Sequence, residues 1–135
     1  MPTRRTALML LAAAATAGLT GRAAALDTIE YTAERLSELQ NSGEPYLIDF
    51  FATWCTTCAA QERVLEGLTE ENAAYRAVPI LRVDWDRYGD GELSRSLAIP
   101  RRSTLVMMRG TTELGRLVAE TRKDRIAALL ELAQG

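Results

Sequence analysis

The chain has 135 residues, with 16 Lys or Arg against 18 Asp or Glu, so its formal charge is −2. That length provides for one domain with one hydrophobic core and is too short for two. The chain has two cysteines and no histidine. A zinc site built from four cysteine or histidine ligands is therefore excluded within one copy.

Residues 1–25 have the three parts of an export signal. Arg4-Arg5 precedes an apolar run that is too short for a membrane span, and Ala23-Ala24-Ala25 supplies an A-x-A cleavage signal. The paired arginines resemble the bacterial twin-arginine signal, a route we favour over the Sec route although Ala7 stands where that signal usually has Phe. We expect cleavage near Ala25, a periplasmic location and no membrane anchor afterwards.

The charge of the expected mature chain, residues 26–135, argues against two classes of partner. Loss of the leader removes three arginines and leaves 13 basic against 18 acidic residues. A net negative domain is repelled by nucleic acid and by anionic membranes, so we expect neither as a partner. In an oxidising compartment a free thiol pair is driven to a disulfide. A dithiol that works there as a reductant must be recharged by another protein.

The apolar pattern after the leader predicts an α/β domain with elements in the order β-α-β-α-β-α-β-β-α. The predicted strands cover 26–31, 46–52, 78–84, 103–108 and 113–118, and the predicted helices cover 32–39, 55–69 with an extension to 75, a short segment around 93–97, and 122–132. Residues 86–91 are rich in turn formers. The strand over 46–52 is apolar on both faces except at Asp49, which is typical of a central strand.

Both cysteines lie in Trp54-Cys55-Thr56-Thr57-Cys58, at the start of the second predicted helix. Side chains three positions apart on a helix have Cβ atoms roughly 5–6 Å apart, so a small adjustment lets a disulfide form or open. Free N–H groups and the helix dipole favour the thiolate form of a cysteine at a helix N-terminus. The motif therefore predicts dithiol–disulfide exchange.

Two other interpretations of the pair are weaker. Half of a zinc site would need further ligands that this chain does not supply. A purely structural disulfide across so short a loop would remove little conformational entropy from the unfolded chain.

The W-C-x-x-C motif after a buried strand, followed by a terminal hairpin and helix, resembles thioredoxins, particularly exported thioredoxin-like domains that handle electrons in the bacterial periplasm. The resemblance covers residues 26–135. It implies a three-layer α/β/α fold with a central mixed sheet, a C-terminal β-hairpin and helix, and no cofactor or metal. It also implies that Cys55 attacks, that Cys58 resolves the mixed disulfide, and that Trp54 forms an apolar platform beside the sulfur.

Asp49 lies on the same strand face as Leu47 and Phe51, so we expect it among apolar side chains. Burial without a partner raises the pKa of a carboxyl group. The resemblance implies that Asp49 accepts and donates the proton of Cys58. A surface acid on an edge strand is the alternative.

The family's cis-proline, which faces the cysteines, has two candidate counterparts. We favour the alignment that places Ser103 there; the alternative keeps Pro100 as the cis residue and treats Arg101-Arg102-Ser103 as an insertion. With serine in this place, the preceding peptide bond is either trans, which alters the substrate groove, or cis under strain.

Arg101 and Arg102 lie at the lip of the site in both alignments. They would favour the Cys55 thiolate or an acidic partner surface, or else form a solvated loop pair. We assign Pro100, Arg102 and Ser103 to the substrate-binding region.

The function expected from these observations is that of an exported, monomeric oxidoreductase that reduces protein disulfides, such as those of apocytochrome c or of damaged exported proteins. A membrane thiol transporter would recharge it. The uncharged pair Thr56-Thr57 and the nearby Asp49 predict a moderately reducing couple. The alternative is a redox-linked binding module, either a chaperone or a carrier of a soft ion such as Cu(I). A third interpretation is an oxidised, inert pair.

Overall fold

The computed structural model describes residues 26–135, so the predicted export signal at 1–25 lies outside the described residues. The strands are β1 (Ile29–Glu30), β2 (Pro45–Phe51), β3 (Ile80–Asp84), β4 (Thr104–Arg109) and β5 (Thr112–Val118). The helices are α1 (Ala33–Asn41), α2 (Thr56–Glu71), α3 (Ala73–Arg76), α4 (Trp85–Tyr88), α5 (Glu92–Ser96) and α6 (Lys123–Glu131), and a 3₁₀ turn follows at Leu132–Gln134. Within this part of the chain, no helix is long and apolar enough to cross a bilayer.

The strands form one five-stranded sheet in the order β1-β3-β2-β4-β5. β3 is parallel to both β1 and β2, whereas β4 is antiparallel to β2 and to β5. Helices cover both faces. The mixed sheet, its C-terminal hairpin and the closing helix confirm the predicted three-layer fold.

The hydrophobic core lies on both faces of β2, because alternate side chains of a strand point in opposite directions. On one face Leu47 packs with residues of α2 and α6; on the other, Tyr46, Ile48 and Phe50 pack with residues of β3, β4 and α5. All four of these β2 side chains are fully buried. Burying each one contributes roughly 1.5–3 kcal/mol, so the sheet holds β2 in one fixed position. The segment that follows it, which carries the cysteines, therefore starts from a rigid support.

Helix caps set the start of α1 and α2. Thr32 caps α1 by accepting a hydrogen bond from the Arg35 N–H at 3.1 Å. Cys55 caps α2 in the same way, since its Sγ accepts from the Cys58 N–H at 3.1 Å. α2 ends at Glu71, and the predicted extension is a separate helix that Asn72 caps.

Two sequence predictions need correction. The turn-rich stretch 86–91 overlaps the one-turn helix α4, which the side chain of Asp84 caps by accepting from the Asp86 N–H at 3.0 Å. A single turn is too short to show helical periodicity. The first strand has two paired residues rather than six, because only Leu81 and Arg82 of β3 pair with it.

β5 forms an edge of the sheet and carries charged side chains. Arg116 is paired with Glu113 on the same strand, and Arg116 also donates to the carbonyl oxygen of Leu97 at 2.7 Å. The register with β4 shifts between Met107 and Met108, which is the position of a β-bulge. Charged side chains and bulges both interfere with the addition of a further strand.

Candidate active site

The cysteines lie where β2 gives way to α2. After Phe51 the chain turns through Thr53 and Trp54, and the Cys55 N–H donates to the Ala52 carbonyl at 3.1 Å. Because Cys55 occupies the cap position of α2, its sulfur faces the free N–H groups of the first helical turn. The local sequence therefore puts one sulfur at the end of the helix and the other one turn inside it.

Cys55 and Cys58 form a disulfide with a Cα–Cα distance of 5.3 Å. This distance is ordinary for a disulfide, so the pair closes without distorting the backbone. Both residues are buried, at 5% and 6% exposure. The Cys58 N–H that donates to Cys55 Sγ would also stabilise negative charge on that sulfur.

A small cleft of about 240 Å³ gives access to the sulfurs. Cys55 and Cys58 line it together with Glu62 and Arg82. The guanidinium of Arg82 lies 3.7 Å from the centroid of the Phe51 ring, which fixes its position at the wall of the cleft. The disulfide is thus covered but reachable.

Ser103, rather than Pro100, contacts the sulfurs. Its Oγ is 3.2 Å from Cys55 Sγ and 3.3 Å from Cys58 Sγ, and the residue is fully buried. Pro100 is exposed. Residues 26–135 contain no cis peptide bond, so the bond before Ser103 is trans. Of the alternatives left open by the sequence, the structure has the one with a trans serine opposite the cysteines.

The backbone of Ser103 is held from three sides. Its N–H donates to the Phe50 carbonyl at 2.8 Å, and its carbonyl accepts from the Ala119 N–H at 2.8 Å and from Gln61 Nε2 at 3.0 Å. Gln61 Nε2 also donates to the Glu120 carbonyl at 3.0 Å. Gln61 is only 1% exposed and was not among the residues predicted for the site. Its position one turn after Cys58, on the inward face of α2, was the available signal.

Asp49 is buried, at 3% exposure, but its surroundings are not purely apolar as predicted. Arg82 Nε lies 3.7 Å from Asp49 Oδ2, and Glu62 Oε2 lies 3.6 Å from the other end of the Arg82 guanidinium. Burial raises the pKa of Asp49 to about 7; Arg82 opposes this shift and Glu62 adds to it. The predicted direction of the shift is confirmed. Arg82, the partner that the sequence did not reveal, lies opposite Asp49 on β3. This pairing across strands cannot be read from the order of residues along the chain.

Trp54 is 58% exposed beside Cys55, so its side chain does not anchor the core. Its Nε1 donates to both carboxylate oxygens of Asp86, at 2.9 and 3.2 Å. The guanidinium of Arg102 lies over the indole ring, 4.3 Å from its centroid. Arg101 donates from Nε to the Arg102 carbonyl at 3.2 Å. Asp86 was not predicted for the site, because a one-turn helix such as α4 leaves no periodic pattern in the sequence.

These features suit disulfide exchange. The helix end and Ser103 place hydrogen-bond donors on the sulfurs, and Asp49 supplies a carboxyl group that changes its charge near neutral pH. Between residues 26 and 135 there is no cluster of three or more potential metal ligands among His, Cys, Asp and Glu. The site therefore offers thiol chemistry supported by one buried acid.

Comparisons with known proteins agree with this chemistry. The thioredoxin family model matches residues 28–132. A thioredoxin of Mycobacterium bovis is 32% identical over 107 residues, which are 78% of this chain and 87% of that protein. A bifunctional thioredoxin reductase/thioredoxin of Mycobacterium leprae is 33% identical over 107 residues, or 78% of this chain, but the chain spans only 22% of that protein.

Solved structures give the same result. The crystal structure of Trxlp from Edwardsiella tarda superposes with a TM-score of 0.67 and 29% identity, covering 75% of this chain and 96% of that one. A thioredoxin from Halobacterium salinarum shares the fold, with a TM-score of 0.66 at 22% identity over 85% of this chain and 97% of its own. The chain therefore belongs to the thioredoxin family and is a thioredoxin-type thiol–disulfide oxidoreductase.

Proposed function

We propose that this protein is exported to the periplasm and there reduces disulfide bonds of other exported proteins. The observation that carries the direction of electron flow is the buried Asp49, whose pKa is raised to about 7. A carboxylate near the sulfurs disfavours additional negative charge, so it destabilises the thiolate relative to the disulfide. A less stable reduced form is a stronger reductant.

The residues between the cysteines support the same direction. Thr56 and Thr57 are uncharged, so neither adds positive charge that would stabilise a thiolate. The stabilising groups at Cys55 are the Cys58 N–H and the Ser103 hydroxyl, both neutral donors. We therefore propose a potential nearer to that of thioredoxin, about −270 mV, than to the strong periplasmic oxidant at about −120 mV.

Reduction of a substrate disulfide proceeds in two exchange steps. The Cys55 thiolate attacks one sulfur of the substrate disulfide, a mixed disulfide forms, and the other substrate sulfur leaves as a thiolate. Asp49 then accepts the proton of the Cys58 thiol, and the new thiolate attacks Cys55 Sγ. The second substrate thiolate leaves and takes up a proton. The substrate gains two electrons, and the protein is left with its Cys55–Cys58 disulfide.

A second protein must return the two electrons after each turnover. In the proposed location this donor is a membrane thiol transporter, since an oxidising compartment offers no soluble pool of reductant. The arginine pair, the apolar run and the alanine-rich cleavage signal within residues 1–25 support export. The proposed substrates are exported proteins with exposed disulfides, including apocytochrome c.

Equilibration with glutathione tests the direction. We expect a potential close to about −270 mV and single-turnover reduction of insulin disulfides. A Cys55→Ser, Cys58→Ser double variant provides the blank. A potential near about −120 mV would overturn the proposed direction. Stoichiometric Cu(I) binding without turnover would favour the redox-linked binding module instead.

Trapping tests the location and the substrates. A Cys58→Ser variant, expressed with its own leader in a bacterium, should accumulate mixed disulfides through Cys55 in the periplasmic fraction. Cys55→Ser is the matched control, because it keeps one thiol but removes the attacking one. Full-length protein confined to the cytoplasm, with no trapped exported partners, would contradict the proposal.

A further inference from the structure

The hydroxyl of Ser103 lies between the two reacting sulfurs. It is 3.2 Å from Cys55 Sγ and 3.3 Å from Cys58 Sγ, and no part of the residue is exposed to solvent. A serine hydroxyl carries one proton to donate and lone pairs to accept. It can therefore donate to one sulfur and accept from the other at the same time.

The backbone fixes the hydroxyl in this place. Ser103 has φ of 61°, in the left-handed region, and its N–H and carbonyl are both used by hydrogen bonds to Phe50, Ala119 and Gln61. A non-glycine residue in this region persists only where its surroundings hold it there. The side chain is consequently directed at the sulfurs and away from solvent.

We propose that Ser103 stabilises the ionised sulfur of the reduced protein: it donates its proton to the Cys55 thiolate, which the Cys58 N–H also favours, and accepts from the Cys58 thiol. When the disulfide takes up two electrons and one proton, the S–S bond breaks and leaves this pair of species. A thiolate accepts a charge-assisted hydrogen bond much more strongly than a disulfide sulfur does. The serine thus stabilises the reduced state more than the oxidised state.

The hydrogen bond from Ser103 affects both the ionisation of Cys55 and the potential of the Cys55–Cys58 couple. The Cys55 thiol ionises at lower pH than it would without the hydroxyl, and the couple is less reducing than it would otherwise be. Serine in this place therefore opposes Asp49, which disfavours the thiolate. The inference rests on disulfide exchange at Cys55 and Cys58 and is independent of the direction and compartment proposed above.

Ser103→Ala and Ser103→Gly test the role of the hydroxyl. Both remove it, but glycine adopts positive φ freely, so the second variant keeps the backbone unstrained if alanine does not. We expect the ultraviolet thiolate titration to move to higher pH by about one unit in both, the scale of one hydrogen bond to a charged group. The glutathione equilibrium should shift up to tenfold toward the disulfide, or about 30 mV.

Glu62 on α2 and Arg82 on β3 are the ionisable groups that line the cleft of the sulfurs, and Asp49 on β2 contacts Arg82. Repeating the titration in an Asp49→Asn background separates the ionisation of the Cys55 thiol from that of the Asp49 carboxyl group. Ser94→Ala is the matched control, because Ser94 is also a buried serine but donates to the Tyr88 carbonyl. It should leave both the titration and the glutathione equilibrium unchanged.

An unchanged titration in both Ser103 variants would overturn the inference, and so would a shift in Ser103→Ala that is absent in Ser103→Gly. The latter result would assign the effect to the backbone. If the parent protein failed to reduce disulfides while the variants still shifted the titration, the proposed function would fail and the inference would stand.

Discussion

Arg82 and Asp49 stand directly opposite each other on two parallel strands, with Arg82 Nε 3.7 Å from the Asp49 carboxylate. Burial raises the pKa of Asp49, and the guanidinium limits the rise, so the value is about 7. A carboxyl group with this pKa is partly ionised near neutral pH. Such a group is suited to the proton exchange with Cys58 that we propose.

Asp49→Asn should stabilise the protein in a pH-dependent way. The pKa of Asp49 is about 7 in the folded state against a usual value of 3.8, so the unfolded chain loses this proton more readily. Burying the ionised carboxylate lowers the free energy of unfolding. This cost is absent below about pH 4, grows as the pH rises, and is complete above about pH 7. We expect the variant to gain up to about 4 kcal/mol at alkaline pH and nothing at about pH 4. Urea unfolding at both pH values measures this; equal gains would contradict it.

The same substitution should flatten the pH profile of the resolving step. In the parent, release of substrate from a preformed mixed disulfide should accelerate as the pH rises through about 7, because Asp49 becomes a base. Asparagine cannot accept the proton, so the variant should be slower with no inflection there. Stopped-flow measurements from about pH 6 to about pH 9 test this. Identical profiles would remove Asp49 from the proton transfer.

Arg82→Gln and Glu62→Gln should move the titration of Asp49 in opposite directions. Arg82 lowers the pKa of Asp49 and Glu62 raises it. Removing the cation should move the Asp49 midpoint above 7, and removing the acid should move it below 7. Infrared detection of the carboxyl band reports the midpoint directly. Shifts of the same sign in both variants would show that charge does not control this group.

Asp86→Ala should weaken substrate reduction with little effect on folding. Asp86 accepts the indole N–H of Trp54 at 2.9 Å on the exposed surface. Loss of one exposed hydrogen bond costs about 1 kcal/mol or less, but it frees the platform beside Cys55. We expect a several-fold lower kcat/KM for a protein disulfide. Asp90→Ala removes an exposed acid of the same region and is the control; equal kcat/KM in both variants would count against the platform.

Two glycine substitutions should have opposite effects on stability. A Cβ at Gly89 would lie 2.7 Å from the backbone carbonyl oxygen of Trp85, which cannot swing aside as a side chain can, so Gly89→Ala should cost about 1 kcal/mol or more. A Cβ at Gly67 in α2 meets nothing within 4 Å, so Gly67→Ala should stabilise the helix by about 0.8 kcal/mol. Thermal unfolding compares the two directly. A gain in stability from Gly89→Ala would mean that the backbone at Trp85 shifts to make room without cost.

The sequence predicted the large elements because their apolar periodicity is long and consistent. Burial of Asp49 was also predictable, since a single acid interrupts a strand that is apolar on both faces. Strand pairing was not predictable, because β2 lies between β3 and β4 and not beside β1. Arg82 therefore escaped notice as the partner of Asp49. Asp86 and Gln61 were missed for local reasons: one lies on a single-turn helix, and the other is a polar residue in a buried position.

The outer edge of the sheet bears on how this protein behaves at high concentration. An edge strand offers unpaired backbone groups that another copy can use to extend the sheet. On β5 the charged pair Glu113 and Arg116 and the bulge at Leu114 obstruct such growth. A carrier of reactive sulfur has to meet many other chains during its working life. At the β5 edge, those encounters are therefore directed toward the cysteines and away from pairing of one backbone with another.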